Sequence, residues 1–200
     1  VCQDGGGPIG LSALAADPDR YAAVVAANTI LHTASPELAG RLAWPVHGVG
    51  ESHVLLEQGL LDYLLHTQRA PTLRASDFVA GGCASLPAPD VLRAYDAPFP
   101  TEEHCAGLRQ MTALLPLTRN DVGARLGRRT MRFLSTWDKP FLTCYSDGDP
   151  ATRGWETVFA EHVPGAAGQP HQVLEGAGHF LQEDAGAELG RAVLGLVPGS

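Results

Sequence analysis

Apolar and polar positions at the start of the chain follow a strand, turn, helix, strand order. The first residues have the character of the end of a buried strand, which runs through Asp4 directly into the glycines Gly5–Gly7. Apolar residues then recur at helical spacing over Ile9–Ala16, until the sequence Asp-Pro-Asp ends the helix. The continuous apolar run Tyr21–Asn28 is typical of a parallel strand that is buried on both faces.

The end of the chain repeats this order. Two strand-like runs, Pro140–Ser146 and His171–Glu175, flank a helical stretch at Trp155–Glu161, and a last helix is predicted over Ala187–Leu196. Helices that alternate with parallel strands cover both faces of a sheet. Both ends of the chain therefore predict one doubly wound α/β sheet.

The middle of the chain breaks the alternation. A long segment rich in helical patterns, among them Val54–His66 and Ala88–Tyr95, separates the second predicted strand from the third. A crossover between parallel strands needs only about a dozen residues, so this segment is better explained as an inserted helical cap. Caps of this kind close over active sites. We place the α/β core in residues 1–33 and 137–200 and the cap in residues 34–136.

The composition is that of an acidic globular protein. Hydrophobic residues make up 44% of the 200 positions, and 22 acidic against 14 basic residues give a formal net charge of −8. This charge repels nucleic-acid phosphates and anionic membrane surfaces, and no apolar run is long enough to span a bilayer, so we expect neither nucleic acid nor a membrane as a partner. The four cysteines lack paired spacing, which indicates reduced thiols and a cytosolic location. Because the chain opens without Met and directly in a strand, we expect that the front of a longer protein is missing.

Asp4 occupies the position of a nucleophile elbow, between the first strand and the first helix. An elbow holds its nucleophile on a strained corner, and small neighbours let the backbone turn there. In this chain those neighbours are Cys2 before Asp4, and Gly6 and Gly7 after it, where a side chain is expected to clash. The dipole of the following helix favours a carboxylate at this place. Taken alone, the turn leaves a second interpretation open, in which Asp4 serves only as the N-cap of that helix.

Two later strand ends supply the other groups that such a nucleophile needs. The sequence Ser-Asp-Gly-Asp-Pro places Asp147 and Asp149 at the carboxyl end of a strand, where parallel sheets bind ligands, and either carboxylate can orient a histidine. His179 follows the last strand and is framed by small residues. The order of nucleophile, acid and base along the chain favours a catalytic triad over an N-cap.

An aspartate nucleophile indicates a particular chemistry, because it is ionised at neutral pH and needs no base for its own attack. Asp4 would displace a leaving group from an sp3 carbon and form an alkyl ester. Neutral His179, oriented by Asp149, would then activate water to hydrolyse the ester to an alcohol. The backbone N–H of Gly5 is a candidate oxyanion donor for that step. We expect no metal and no cofactor, since the histidines lack ligand spacing and no phosphate-binding glycine motif follows a strand.

The stretches VCQDGGGPIGL, DRYAAVVAANT, AYDAPFP, DKPFLTCYSDGDPATRG and GAGHFLQED resemble the haloalkane dehalogenases, a family with the α/β-hydrolase fold. The resemblance implies the C-terminal half of the parallel sheet of that fold, with an inserted helical cap. It implies Asp4 as nucleophile, Asp149 rather than Asp147 as acid, and His179 as base. Some relatives carry the acid after the preceding strand, but at that place this chain has Asn28. The implied reaction converts small haloalkanes to alcohol and halide, with water as co-substrate and no cofactor.

One position departs from the family pattern. In the family a tryptophan follows the nucleophile and points its indole N–H at the departing halide, whereas this chain has Gly5. The loss of one hydrogen bond to a charged group costs about 1.5–3 kcal/mol, roughly a ten- to hundredfold effect on the rate. Trp44, early in the cap, stands where the family's other halide-binding tryptophan is expected, although it can equally be a packing residue. We assign Trp137 and Trp155 to packing.

Two alternatives remain open. An epoxide hydrolase uses the same aspartate nucleophile but protonates its leaving oxygen with cap tyrosines, for which Tyr63 and Tyr95 are candidates. The other alternative is a catalytically impaired, truncated homologue. It is motivated by Gly5 and by the strand that ends at Asp4, which would be an exposed edge without its neighbours.

Overall fold

Strands from both ends of the chain meet in one parallel sheet. A computed structural model describes residues 1–35, 47–49, 53–55 and 58–196. The strands in these ranges are β1 (Cys2–Asp4), β2 (Val24–Thr29), β3 (His47–Val49), β4 (His53–Leu55), β5 (Phe141–Ser146) and β6 (Gln172–Leu174). Parallel pairing joins β1, β2, β5 and β6 in that order, and β3 pairs with β4 as an antiparallel hairpin. The strands predicted at both ends of the chain are therefore confirmed.

Helices connect the strands and fill the middle of the chain. They are α1 (Gly6–Ala16), α2 (Gln58–Arg69), α3 (Ala75–Gly82), α4 (Pro89–Asp96), α5 (Ala106–Ala113), α6 (Val122–Leu134), α7 (Trp155–His162), α8 (Leu181–Asp184) and α9 (Gly186–Gly195). The prediction of one helix over Val54–His66 is wrong at its start, because Val54 lies in β4, opposite Gly48, and α2 begins only at Gln58. In the described ranges no helix is long and apolar enough to cross a membrane.

Two apolar layers enclose the sheet, as the doubly wound prediction requires. Alternate residues of the two central strands point to opposite faces, so that Val24 and Phe141 pack with one layer and Val25 and Leu142 with the other. The first layer includes side chains of α1, α6 and α7, and the second includes side chains of α8 and α9. Both central strands are buried along almost their whole length, which explains why they are apolar without alternation.

Helix α6 lies within the segment predicted as cap but packs on α1. Leu134 is fully buried in the first core layer together with Leu11 and Leu14. The hydroxyls of Ser12 and Thr130 lie 3.0 Å apart across the helix pair. The division of the chain at residues 33 and 136 stays a prediction, and α6 is a helix of that segment whose inner face covers the sheet.

Candidate active site

The corner between β1 and α1 holds Asp4 in a strained backbone conformation. Its φ is +46°, in the left-handed region that residues other than glycine rarely adopt. The hydroxyl of Thr29, on the adjacent strand, donates a 2.6 Å hydrogen bond to the Asp4 carbonyl and ties the corner to β2. Helix α1 is capped by Gly5 and has no side-chain cap. Asp4 is thus not the N-cap of this helix, and its side chain is 58% exposed.

Close packing at the corner requires a glycine at one of the two positions that follow Gly5. A Cβ on Gly7 would lie 2.1 Å from the hydroxyl oxygen of Thr29 and 2.6 Å from the carbonyl oxygen of Ile30. A Cβ on Gly6 would meet nothing within 4 Å. The predicted clash is therefore confirmed for Gly7 and wrong for Gly6, which faces open space.

His179 lies between two carboxylates that come from different strand ends. Its Nε2 is 3.5 Å from Oδ1 of Asp4, and its Nδ1 is 3.1 Å from Oδ2 of Asp149. The Nδ1 contact is within ion-pair distance, although the N–H does not point straight at the oxygen. The structure thus brings together the three side chains that the chain order and the resemblance single out.

Asp149 is the carboxylate that faces the histidine. It is only 1% exposed, and it accepts hydrogen bonds from the backbone N–H of Ala151, over 2.8 Å, and from the hydroxyl of Thr152. Asp147 instead accepts a 2.9 Å hydrogen bond from the N–H of Gly176. Of the two carboxylates that the sequence leaves open, Asp149 is the one next to the ring.

The pKa values of Asp4, Asp149 and His179 are shifted by burial and by their contacts with one another. Burial acts to raise the pKa of Asp4, but the contact with His179 and the N–H of Gly5 outweigh burial and hold it below its ordinary value. Burial acts to raise the pKa of Asp149 as well, but the adjacent His179 ring and the hydrogen bonds from Thr152 and Ala151 outweigh burial and lower it. Burial acts to lower the pKa of His179, but the two carboxylates raise it to about 9.

These shifts describe the protein with a free Asp4 carboxylate, whereas the neutral His179 expected from the sequence acts on the ester and stays a prediction. With a pKa of about 9, the ring is an imidazolium at neutral pH while Asp4 and Asp149 are both ionised. Spacing along the chain could not reveal this, because the shift depends on how close the two carboxylates come in space.

A cavity of about 690 Å³ opens at this group. Asp4, Gly5 and His179 line one part of it, and apolar side chains from the middle of the chain, including Phe78 and Leu115, line another. A volume in this range suits a small molecule. The arrangement joins an ionised carboxylate, a histidine with a carboxylate partner and a largely apolar wall.

Comparison with known proteins agrees with this arrangement. No protein-family model matches the chain. A haloalkane dehalogenase of Psychrobacter cryohalolentis is 35% identical to it over 196 residues, which are 98% of this chain and 59% of the relative. A haloalkane dehalogenase of Mycobacterium marinum is 34% identical over 192 residues, 96% of this chain and 58% of the relative. This chain is homologous to the haloalkane dehalogenases.

Solved haloalkane dehalogenases share its fold. The enzyme DpaA from Paraglaciecola agarilytica NO2 matches all of this chain and 60% of its own with a TM-score of 0.78 at 22% identity. The enzyme DatA from Agrobacterium tumefaciens C58 matches 97% of this chain and 64% of its own with a TM-score of 0.69 at 19% identity. The architecture is therefore a partial α/β-hydrolase fold. The chain spans less than two thirds of the length of the dehalogenases that it matches.

The predicted halide-binding positions have different outcomes. Gly5 lines the cavity, and the Cε of Met111 lies 3.7 Å from the place of a Cβ on Gly5, so a thioether methyl covers this residue. Trp44 lies outside the described residues. Trp137 is a buried core residue, as predicted, whereas Trp155 is both a core residue and part of the cavity wall.

The tyrosines do not favour an epoxide hydrolase. Tyr63 lines the cavity and packs edge-on against Phe78. Tyr95 is not part of the cavity wall, and its hydroxyl donates a 2.6 Å hydrogen bond to Glu183. A pair of cap tyrosines at the leaving group is thus absent from the described residues. The homologues found by comparison are named as dehalogenases and point the same way.

Sequence reasoning missed the residues that position the His179 backbone. The side-chain amides of Gln3 and Asn28 each donate a 3.1 Å hydrogen bond to the His179 carbonyl. Asn28 also donates to the carbonyl of Gly178 over 2.9 Å and accepts from the N–H of Ser146 over 2.9 Å. A polar residue at the end of an otherwise apolar strand was the available signal for Asn28.

The middle segment of the chain also forms hydrogen bonds with the loop that carries His179. The N–H of His179 donates a 2.7 Å hydrogen bond to the carbonyl of Gly82, at the end of α3. Asp184 accepts from the N–H of Gly178 and from that of Ala84, over 2.9 and 2.8 Å. A Cβ on Gly178 would lie 2.3 Å from the Gly82 carbonyl, so only glycine allows this approach.

Over the described ranges no group of three or more His, Cys, Asp or Glu side chains could hold a metal ion.

Proposed function

We propose that this chain carries the catalytic residues of a hydrolase that converts small haloalkanes to alcohol and halide through an alkyl ester on Asp4. The observation that supports it most directly is the position of the His179 ring, 3.5 Å from Asp4 and 3.1 Å from Asp149, beside a cavity with apolar walls. The strained Asp4 corner presents a carboxylate to that cavity, which is the feature that a substitution at carbon requires.

The first step is attack by Asp4 on the carbon that bears the halogen. A carboxylate oxygen forms a C–O bond while the C–halogen bond breaks and its electron pair leaves with the halide. The lowered pKa of Asp4 keeps it ionised for this attack. Trp44 and the Gly5 side of the cavity remain our proposed surroundings for the departing halide.

The second step hydrolyses the ester, and the charges at His179 prepare it. Esterification removes the negative charge of Asp4, which is one cause of the raised His179 pKa. The pKa of the ring then falls, its proton passes to solvent, and the neutral imidazole can take a proton from water. The resulting hydroxide adds to the ester carbon of Asp4.

The N–H of Gly5, which helps to lower the Asp4 pKa, is our proposed donor to the oxyanion that forms there. Collapse of the tetrahedral adduct releases the alcohol and restores Asp4. The net reaction consumes one water and yields alcohol, halide and a proton.

We also propose the finer organisation that the sequence predicts. Residues 34–136 act as the cap, with α3 and α5 forming part of the cavity wall and α6 covering the sheet. All four cysteines are free thiols, which supports a reducing, cytosolic location. The proposed partners are a halogenated small molecule, water and halide.

Two measurements test the proposed reaction. Halide release from a series of short bromo- and chloroalkanes is expected for the protein and is expected to be lost in Asp4→Ala. Asp147→Ala, which removes a nearby carboxylate that does not face the ring, is the matched control and should retain release. In His179→Gln the ester should persist, and mass spectrometry of protein treated with 1-bromobutane should find one added butyl group on the peptide with Asp4. No halide release and no adduct with any of these substrates would contradict the proposal.

A further inference from the structure

A second histidine enters the cavity from the segment after β2. Ile30 and His32 line the cavity, whereas Leu31 is fully buried and Thr33 is 4% exposed, so alternate side chains of this segment point to opposite sides. The segment continues from Thr29, which pairs with Asp4 in the parallel register of β1 and β2. His32 therefore follows the strand next to Asp4 by three residues.

Helix α6 fixes the backbone that carries this histidine. A Cβ on Gly127 would lie 2.3 Å from the His32 carbonyl oxygen, so the helix and the segment touch backbone to backbone. Arg128, on the same helix, donates a 2.7 Å hydrogen bond to the Thr33 carbonyl. These contacts at the carbonyls of His32 and Thr33 hold the backbone from which the imidazole extends.

The protonation of His32 differs from that of His179. Burial outweighs the attraction of Asp4 and lowers the pKa of His32 to about 4. At neutral pH its imidazole is uncharged and keeps one N–H donor. A group with so low a pKa also holds too few protons to serve as the acid for an alkoxide leaving group.

Other side chains in the described part of the cavity wall offer few donors. Gly5 has no side chain and is covered by the methyl of Met111. The hydroxyl of Thr152 donates to Asp149, and that of Thr112 donates to the Arg109 carbonyl. Tyr63 and Trp155 also carry donors, but they come from α2 and α7 rather than from the segment that follows the strand beside Asp4.

We propose that His32 binds the departing halide, with a ring N–H donating a hydrogen bond from the segment after β2 that no side chain at position 5 can supply in this chain. The inference rests on the proposed dehalogenation, because it concerns the leaving group of that reaction. The halide ligand that we infer belongs to the α/β core of the chain and lines the cavity.

The test compares variants that keep or remove the donor. His32→Phe keeps a ring and loses the N–H, and His32→Gln keeps a neutral donor. Two readouts are needed: kcat for bromide release from 1-bromobutane, and bromide binding followed by the line width of the bromide NMR signal, which needs no turnover. We expect His32→Phe to lower both kcat and bromide affinity by roughly 10- to 100-fold, while His32→Gln stays near the unchanged protein. His104→Phe, which removes an exposed histidine from a 3-10 turn, is the control.

The outcomes separate the two proposals. If the protein releases no halide but binds bromide and loses that binding only in His32→Phe, the dehalogenation fails and the halide site stands. Bromide binding that is unchanged in His32→Phe overturns the inference, whatever the turnover. An equal loss in His32→Phe and His32→Gln also overturns it, since it indicates a structural role. The inference fails as well if Tyr63→Phe abolishes bromide binding and His32→Phe leaves it unchanged.

Discussion

Replacement of Asp4 by Asn is expected to lower the pKa of His179, and this change tests the coupling on which the proposed second step depends. Asn is close to Asp in size and carries no charge, so Asp4→Asn resembles the ester form of the nucleophile as His179 experiences it. Asp149, 3.1 Å from the ring, remains in place to orient it. The variant therefore isolates the electrostatic effect of one carboxylate.

The size of the effect follows from the two contacts. The rise of the His179 pKa from 6.5 to about 9 corresponds to about 3 kcal/mol in favour of the imidazolium, at about 1.4 kcal/mol per pKa unit. Two carboxylates produce this rise against the opposing effect of burial. An opposite charge at such a distance shifts a pKa by about 1–3 units, so loss of the Asp4 charge should move the His179 pKa down by about that amount, close to neutral pH.

NMR titration of the imidazole C–H signals measures the pKa directly. The protein has eight histidines, and His179→Gln identifies the signal of interest by its disappearance. Asp147→Asn is the matched control, because the Asp147 carboxylate bonds the N–H of Gly176 rather than the ring, and it should leave the titration unchanged. A His179 pKa that stays near 9 in Asp4→Asn would refute the coupling, and with it the release of the base by esterification.

Three further predictions concern stability. Gly7→Ala should destabilise the protein by about 1–3 kcal/mol, because its Cβ would lie 2.1 Å from Thr29 Oγ1. Gly6→Ala, whose Cβ meets nothing, should be neutral or slightly stabilising. Chemical denaturation measures both, and equal unfolding free energies for the two variants would contradict the prediction. Asn28→Ala should cost about 1–3 kcal/mol, since it leaves the partly buried N–H of Ser146 without its acceptor, and an unchanged melting temperature would exclude that role. Because the folded-state pKa of His179 is raised, its stabilising contribution is complete below pH 6.5 and is lost as pH rises to about 9; the free energy of unfolding should fall across that window in the unchanged protein and not in His179→Gln.

Local patterns were sufficient for the strands and for the candidate triad. The runs at Val24–Thr29 and Phe141–Ser146 are mostly apolar and lack a regular alternation because both faces of these strands are buried, so they could be recognised without any neighbour. The glycine turn after Asp4 and the motifs around Asp149 and His179 are short and contiguous in sequence. Periodicity failed at Val54, where pairing with β3 competes with the helical pattern.

The sequence by itself determined which residues stand at the ends of the strands, since strand periodicity and turn motifs are encoded within a few neighbouring positions. Only the tertiary structure decided how those ends interact. The protonation of His179 depends on two carboxylates that are far from each other along the chain, and the place of His32 depends on the register between β1 and β2 and on contact with α6. Interactions of this kind depend on distances in space, which motif spacing does not contain. For that reason the sequence indicated an aspartate nucleophile followed by glycine instead of tryptophan, and only the fold brought His32 into the wall of the same cavity.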